Sequence, residues 1–263
     1  VLFENASLRV APDGRLMCLL CQDMPKGIAD PQAWETKYAR LTNWVSFSED
    51  GRTWTEPVPV RYHNAAGRVV RLNREIFHPD CHDGTIYANP RGCGLWASKD
   101  GIHYRQIKLR SRTPAGARFA RHETALRVRP DGEMIVLCRS HRPPGQIATS
   151  KPPYTHWTVH EIPHAAHGPN FVILPDGRMW AASRSTDEAG QPPYHTVLYK
   201  MTRRSYAPAL TLPSGGDTSY PGMAWHAGHL WVSYYSSHES EALGKKAVLY
   251  LAKVKLPEAP AAP

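Results

Sequence analysis

The sequence predicts an all-β fold, a β-propeller of four-stranded antiparallel blades with five blades in this chain. One turn signal recurs five times between two strand-like stretches, which is typical of β-hairpins, and further strand pairs follow at a period near 50 residues. Helical periodicity is close to absent. A β-sandwich, the main alternative, does not usually repeat one turn at one register in this way. The five turns end at Gly14, Gly84, Gly132, Gly177 and Gly228.

Each blade starts with the hairpin around its turn glycine, as in "TALRV" before Gly132 and "EMIVLC" after it. In three blades a third strand leads into a second turn: "SEDGRTW" at 48–54, "SKDGIHY" at 98–104 and the divergent "SKPPYTHW" at 150–157. Fourth strands follow in "EPVPV", "RQIKL" and "TVHEI". We therefore expect one propeller domain over 1–256 and a disordered tail over 257–263, with blades at about 5–60, 69–111, 121–163, 167–213 and 217–256.

The composition restricts the classes of partner. Lys and Arg number 32 against 23 acidic residues, a formal charge of +9 that favours anionic partners such as an acidic glycan. No nucleic-acid motif is present, and no apolar run approaches the roughly 20 residues of a membrane helix, so neither nucleic acid nor membrane is expected as a partner. The C-x-x-C of Cys18 and Cys21 lies in an apolar strand and indicates buried thiols. No metal and no organic cofactor is indicated.

Two positions of each hairpin, counted from its turn glycine, hold the residues that are expected to bind a ligand or to catalyse a reaction. Equivalent positions of propeller blades are related by rotation, so residues at one register are expected to surround one spot where propellers hold ligands. The position seven residues after the turn glycine is Arg91, Arg139 and Arg184 in three consecutive blades. Three such guanidinium groups would repel one another unless an anion is bound, and their donor forks match a carboxylate. For Arg91 alone, in the turn-like "NPRGCG", the preferred interpretation is a structural one, in which it pairs with an acid or with carbonyl groups of its own blade.

The turn "SEDGRTW" resembles the Asp box of the sialidase (neuraminidase) superfamily, the BNR-repeat proteins. This turn is a folding device found in proteins of several activities, so Asp50, Trp54, Asp100 and Tyr104 are expected to be structural. The resemblance extends over essentially the whole chain and is strongest to the bacterial sialidase-like branch. It implies a secreted or periplasmic glycosidase that acts on an acidic glycan or sialoglycoconjugate.

The family pattern E-(x)7-D-G-(x)6-R matches this chain from Glu123 to Arg139. The resemblance implies that Glu123 activates a tyrosine, that Arg139 and Arg184 grip the substrate carboxylate, and that Tyr220 in "DTSYPG" is the nucleophile. A tyrosine suits a substrate whose anomeric carbon bears a carboxylate. A carboxylate nucleophile about 4 Å away would be repelled by roughly 4 kcal/mol at an effective dielectric near 20, whereas a neutral phenol is not.

The match departs from the family in three features. The first triad arginine has no counterpart, since Asn5 stands at its register, and the general acid has only Asp23 and Asp30 as candidates. Family propellers have six blades and this chain shows five. The strand-like start at Val1 favours a blade that lies upstream; under the alternative of a five-bladed variant, Arg91 would be the third carboxylate ligand.

Two rivals to a hydrolase remain open. An acidic-polysaccharide lyase would pair a histidine with a tyrosine beside an arginine-neutralised uronate, and a non-catalytic carbohydrate-binding propeller would explain the missing acid. Asn170 and His238 are expected to line the binding site in either case. The histidines near predicted strand ends are His122, His141, His164, His167, His226 and His238.

Overall fold

The computed structural model describes residues 3–22, 42–63, 67–72, 74–92, 94–108, 123–185, 193–239 and 247–258. These residues form strands and turns and no helix, and they therefore include no helix able to cross a membrane. The five turn glycines all have positive φ, between 62° and 89°, a conformation that costs glycine nothing and other residues much more. The predicted all-β fold is confirmed, since the described strands form five sheets.

The chain divides into two compact units, of which the first comprises 1–134 and 150–157. Its first sheet has the order β1-β2-β3-β4, and its second the order β6-β5-β10-β9-β8-β7. The strands are β1 (Phe3–Val10), β2 (Leu16–Gln22), β3 (Thr42–Ser48), β4 (Val58–Pro59), β5 (Arg61–His63), β6 (Val69–Arg71), β7 (Ile76–His82), β8 (Thr85–Pro90), β9 (Trp96–Ser98), β10 (His103–Gln106) and β11 (Thr124–Val128).

The second sheet differs from the four strands expected of a blade. The hairpin β5–β6 joins its outer edge, because β5 pairs in parallel with β10 through Arg61 and His103. The second blade therefore begins near Ile76, later than the predicted start at 69. Apolar residues from both sheets form one buried core, which includes Met17, Val45 and Ile86.

The two Asp boxes of the first unit hold their turns through side-chain hydrogen bonds. Oδ1 of Asp50 accepts from the backbone N–H groups of Arg52 and Thr53, each at 2.8 Å, and these bonds lower the pKa of Asp50 to about 2. Trp54 of the first box is 37% exposed. In the divergent third copy Trp157 is buried and donates to the carbonyl of Tyr154 at 3.0 Å, so the packing survives without the aspartate.

The second unit comprises 135–149 and 158–263. Its sheets have the orders β15-β16-β17-β18 and β19-β20-β21, and a further sheet has the order β11-β12-β13-β14. Among the described residues the last sheet has three strands where four were expected. The strands are β12 (Met134–Cys138), β13 (Gly145–Ser150), β14 (Thr158–Ile162), β15 (His167–Ile173), β16 (Met179–Ser185), β17 (His195–Met201), β18 (Tyr206–Thr211), β19 (Thr218–His226), β20 (His229–Ser236) and β21 (Val248–Val254).

The core of the second unit lies between its last two sheets. Buried residues of β16, β17 and β20, among them Trp180, Leu198 and Val232, pack together with Met223 of β19. The alternation of buried and exposed positions along β20 and β21 places the other face of the last sheet, which carries Tyr235, away from this core.

Candidate functional site

Arg139 and Tyr220, two of the predicted site residues, are in direct contact in the second unit. Arg139 follows the last residue of β12, and Tyr220 lies in β19. Nη1 of Arg139 donates to the phenolic oxygen of Tyr220 at 2.7 Å, and Nη2 lies within hydrogen-bond distance of Nε2 of His167. One guanidinium therefore links a phenol and an imidazole.

Tyr220 occupies a β-bulge that turns its side chain outward. The register between β19 and β20 shifts between Ser219 and Gly222, and Tyr220 has a φ of 49°, which is rare for a residue with a side chain. Its side chain is 37% exposed. Strained, exposed residues of this kind cluster at functional sites, which supports the prediction for Tyr220.

A glycine on the neighbouring strand makes room for this bulge. Gly168 has a φ of 57°, and a Cβ atom there would lie 2.3 Å from Oγ of Ser219 and 3.4 Å from the ring of Tyr220. A side chain at this position would have to push aside the hydroxyl of Ser219 and would be strained by the positive φ. Gly168 therefore allows β15 and β19 to approach closely, which glycine permits and other residues do not.

Arg184 is held by several acceptors. Its Nε donates to the carbonyl of Thr218 at 2.5 Å, and its Nη2 contacts Oδ1 of Asp217 at 2.8 Å and the hydroxyl of Tyr235 at 3.0 Å. Burial raises the pKa of Tyr235 to about 12, so its hydroxyl keeps its proton and donates to Asp217. The rings of Tyr235 and Tyr220 are nearly parallel with centroids 6.4 Å apart, which places Arg184 and Tyr220 in one neighbourhood.

His167 belongs to this cluster although counting residues did not select it. Counting outward from the turn glycine pairs Arg184 with Gly168. The bulge between His167 and Asn170 shifts this pairing by one residue, so that His167 is the cross-strand neighbour of Arg184. Burial, followed by the positive charges of Arg139 and Arg184 and by His141, lowers the pKa of His167 to about 3. A glycine inside a predicted strand is the sequence signal for such a bulge.

Asn170 and His238 take supporting positions. Asn170 is buried, and its side-chain amide donates to the carbonyl of Pro221 at 2.8 Å, next to Tyr220. Nδ1 of His238 lies 2.9 Å from the hydroxyl of Ser236. Contact with substrate remains a prediction for both residues.

Arg91 and Glu123, the other predicted site residues, lie in the first unit. Nη1 of Arg91 is 3.0 Å from a carboxylate oxygen of Glu75 and 3.4 Å from one of Glu123. Both glutamates are buried, and Glu123 is 4% exposed. Glu75 stands nine residues before its turn glycine, as Glu123 does, so the predicted register brings both acids to one arginine. The role of Glu123 as a base stays a prediction.

The candidates for the general acid, Asp23 and Asp30, lie outside the described residues, as does His122. Within the ranges that the structure describes, no group of three or more His, Cys, Asp or Glu side chains is placed to hold a metal ion.

No protein-family model matches the chain, and no curated protein matches it. Solved structures share its fold at low identity. A protein of unknown function from Dyadobacter fermentans is 15% identical with a TM-score of 0.60, over 89% of this chain and 72% of that one. A family 43 arabinoxylan arabinofuranohydrolase from Bacillus subtilis is 14% identical with a TM-score of 0.60, over 96% and 63%. A further glycoside hydrolase is 16% identical with a TM-score of 0.59, over 97% and 60%.

The chain therefore spans about three fifths of the length of these two hydrolases. At this identity the likeness shows the fold alone.

Proposed function

We propose that the protein is an exo-acting glycoside hydrolase that removes a terminal acidic sugar, with Tyr220 as its nucleophile. The observation that carries this proposal is the 2.7 Å hydrogen bond from Arg139 to the phenolic oxygen of an exposed, strained Tyr220. The glycoside hydrolases among the structures of similar fold support a reaction of this class.

The arginines supply the recognition of the sugar. Arg139 and Arg184 both lie near His167, since the positive charge of each lowers its pKa. A guanidinium binds a carboxylate through two parallel N–H bonds, so an arginine pair favours a sugar acid over a neutral sugar. The formal charge of +9 adds a long-range attraction for the same substrates.

Tyr220 would act by covalent catalysis. Its phenolic oxygen attacks the anomeric carbon and forms a new C–O bond, while the glycosidic C–O bond breaks and its electron pair leaves with the aglycone oxygen. The phenolic proton passes to a base, for which Glu123 is the predicted residue. Water then cleaves the tyrosyl–sugar bond, and the sugar keeps its anomeric configuration. The N–H of Arg139 stabilises negative charge that develops on the phenolic oxygen.

The test is Tyr220→Phe, assayed with fluorogenic glycosides of N-acetylneuraminic acid and of glucuronic acid. We expect turnover to fall by about 10⁴-fold or more while the sugar still binds, because the nucleophile is lost and the arginines stay. Tyr234→Phe is the matched control: its hydroxyl donates to the carbonyl of Pro213 at 2.9 Å and the ring packs in the core. Unchanged turnover in Tyr220→Phe would exclude the tyrosine mechanism, and binding without any release of sugar would indicate a carbohydrate-binding protein.

A second candidate, a lyase for acidic polysaccharides, is favoured by the row His167–Arg139–Tyr220, which holds a histidine and a tyrosine beside one arginine. A lyase needs a base whose pKa lies near the working pH, and a pKa of about 3 makes His167 a poor proton acceptor. The geometry therefore supports the hydrolase better. Ultraviolet absorbance of a new C=C bond in the product would identify a lyase, because hydrolysis forms none.

A further inference from the structure

The aromatic residue that follows each Asp-box turn is exposed in one of its three copies. Tyr104 is 1% exposed and Trp157 is 7% exposed, whereas Trp54 is 37% exposed. An aromatic side chain that serves to fix the turn is expected to be buried, as Tyr104 and Trp157 are. The exposure of Trp54 therefore leaves part of a large apolar ring open to a ligand.

The main chain after the first box differs from that after the second. Tyr104 lies in β10, which pairs with β9 and with β5. After the first box, the N–H of Thr55 donates to the carbonyl of Phe47 at 2.9 Å, but β4 begins only at Val58. Trp54 therefore lies in the segment that connects β3 with β4, whereas its counterpart lies within a paired strand.

Trp54 lines a groove of the first unit, here called the Trp54 groove. Its volume is about 460 Å³, within the range of about 300–1,000 Å³ found for sites that bind small molecules. Such sites combine an aromatic wall with a few polar groups that orient the ligand. The lining includes Arg15, Phe47, Glu49, Asp50, Thr53 and Thr55.

The cation of the Trp54 groove, Arg15, is paired with an acid. Its Nε and Nη2 lie 2.9 Å and 2.7 Å from Oδ2 of Asp13. The guanidinium also lies over the ring of Phe47, 4.4 Å from the centroid. Arg15 thus occupies the face of Phe47, and Asp13 offsets its charge.

Two acidic residues add negative charge to the groove. Hydrogen bonds from the backbone N–H groups of Thr53 and Arg52 lower the pKa of Asp50 to about 2, so this carboxylate is ionised at neutral pH. Glu49, the residue before it, also lines the groove and is exposed. The local charge is therefore opposite in sign to the formal charge of +9 on the whole chain. Carboxylates at this position disfavour an acidic sugar by repulsion.

We propose that the Trp54 groove binds an uncharged sugar ring, which stacks on the indole, and that it is a second carbohydrate site of this protein. The C–H groups on one face of a sugar ring are apolar and match the face of an indole. The sugar hydroxyls at the ring edge donate to the carboxylate of Glu49 and bond the hydroxyl of Thr53. The choice of a glycan as ligand rests on the proposed function.

A cationic ligand is the main alternative, because an indole beside carboxylates also attracts a quaternary ammonium group. Sites for such groups are cages of several aromatic faces. In the Trp54 groove the face of Phe47 is already covered by Arg15. The observations therefore favour the uncharged sugar.

The test follows the indole ¹H–¹⁵N signal of Trp54 in the full chain, assigned by its loss in Trp54→Phe. The chain is titrated separately with lactose, xylobiose, glucuronic acid and choline. We expect at least one of the two neutral sugars to shift the signal, with a dissociation constant of about 1 mM or below. Glucuronic acid should bind about tenfold more weakly at this signal because of Glu49 and Asp50. Choline should leave the signal unchanged.

Two variants test the stacking. Trp54→Ala should weaken binding of the neutral sugar by about tenfold or more, measured by calorimetry, because the apolar face is lost. Trp231→Ala is the matched control: Nζ of Lys253 lies over its ring, 5.4 Å from the centroid, and we expect unchanged affinity. If Trp54→Ala does not fold by circular dichroism, the titrations of the wild type decide alone.

The outcomes separate this inference from the proposed function. A Trp54 signal that responds to neither neutral sugar overturns the inference, as does one that responds to choline or to glucuronic acid more strongly than to both sugars. Either result leaves the hydrolase standing, because Tyr220→Phe is judged by turnover. A shifted Trp54 signal in a protein that releases no sugar from any glycoside supports the groove and overturns the hydrolase.

Discussion

Arg91 in the first unit and Arg139 in the second stand at the same register, seven residues after a turn glycine, yet they contact opposite kinds of group. Arg91 contacts the carboxylates of two buried glutamates, Glu75 and Glu123. Arg139 contacts a phenol and a neutral imidazole. The repeat therefore fixes where an arginine stands along its hairpin, and the groups described in contact with it differ between the two positions.

The residue nine positions before the turn glycine also differs between blades. It is Glu75 in the second blade, Glu123 in the third and Gly168 in the fourth. In the fourth blade a bulge makes His167 the cross-strand neighbour of Arg184.

The largest expected effect of a substitution is the loss of stability when Arg91 is replaced. Arg91→Met should lower the free energy of unfolding by about 3 kcal/mol, because it leaves two buried carboxylates without this cation. Arg139→Met should cost less, about 1–2 kcal/mol, because Tyr220 and His167 each lose a hydrogen bond. Urea denaturation of both variants measures the difference.

The same two variants should also differ in their affinity for a sugar acid. Arg139→Met should weaken binding by about tenfold or more while Arg91→Met, measured at a temperature where it is folded, has the smaller effect. If Arg91→Met and Arg139→Met lowered the free energy of unfolding equally, the two arginines would contribute equally to stability and the comparison would fail.

Gly168→Ala should destabilise the protein by about 1–2 kcal/mol, since the new Cβ adopts a positive φ and meets Oγ of Ser219. The double variant with Ser219→Ala removes the clash and keeps the backbone strain, so it should recover only part of the loss. Thermal unfolding of the single and double variants checks this. If Gly168→Ala alone is as stable as the wild type, the close approach of β15 and β19 is not required.

The last prediction concerns the dependence of stability on pH. The folded pKa of His167 is about 3, below the value of about 6.5 for an unfolded histidine, so the unfolded chain binds this proton more readily. The stability that the neutral ring contributes is complete above about pH 6.5 and is lost as pH falls towards 3, by at most about 1.4 kcal/mol per pH unit. His167→Gln should flatten this slope in urea titrations between pH 7 and pH 4; an identical slope in both proteins would contradict the assignment.

Much of the fold could be predicted from the residues at its turns. The Asp-Gly and similar turns predicted five hairpins because glycine adopts at little cost the positive φ found at Gly14, Gly84, Gly132, Gly177 and Gly228. The hairpin β5–β6 was not predicted as an addition to the second sheet. Its parallel pairing with β10 joins residues about 40 positions apart, and no local pattern encodes a pairing of this kind.

The candidate site was predicted in part. Counting from the turn glycine selected Arg139 and Arg184 because the hairpin register is regular from the turn outward, and Tyr220 came from the family resemblance. His167 was considered only as one histidine among many, because a bulge adds a residue to one strand and shifts the count. Its low pKa comes first from burial and then from Arg139, Arg184 and His141, and these groups surround His167 only in the folded unit.

The strand order has a consequence for biosynthesis. In the first, third, fourth and fifth sheets each strand pairs with the next one along the chain, so a polypeptide emerging from the ribosome can complete one sheet before the following one is made. The hairpin β5–β6 is the exception, because its partner β10 is translated later than the three strands between them. During synthesis β5 therefore stays without its partner strand until β10 has been made, when the second sheet is nearly complete.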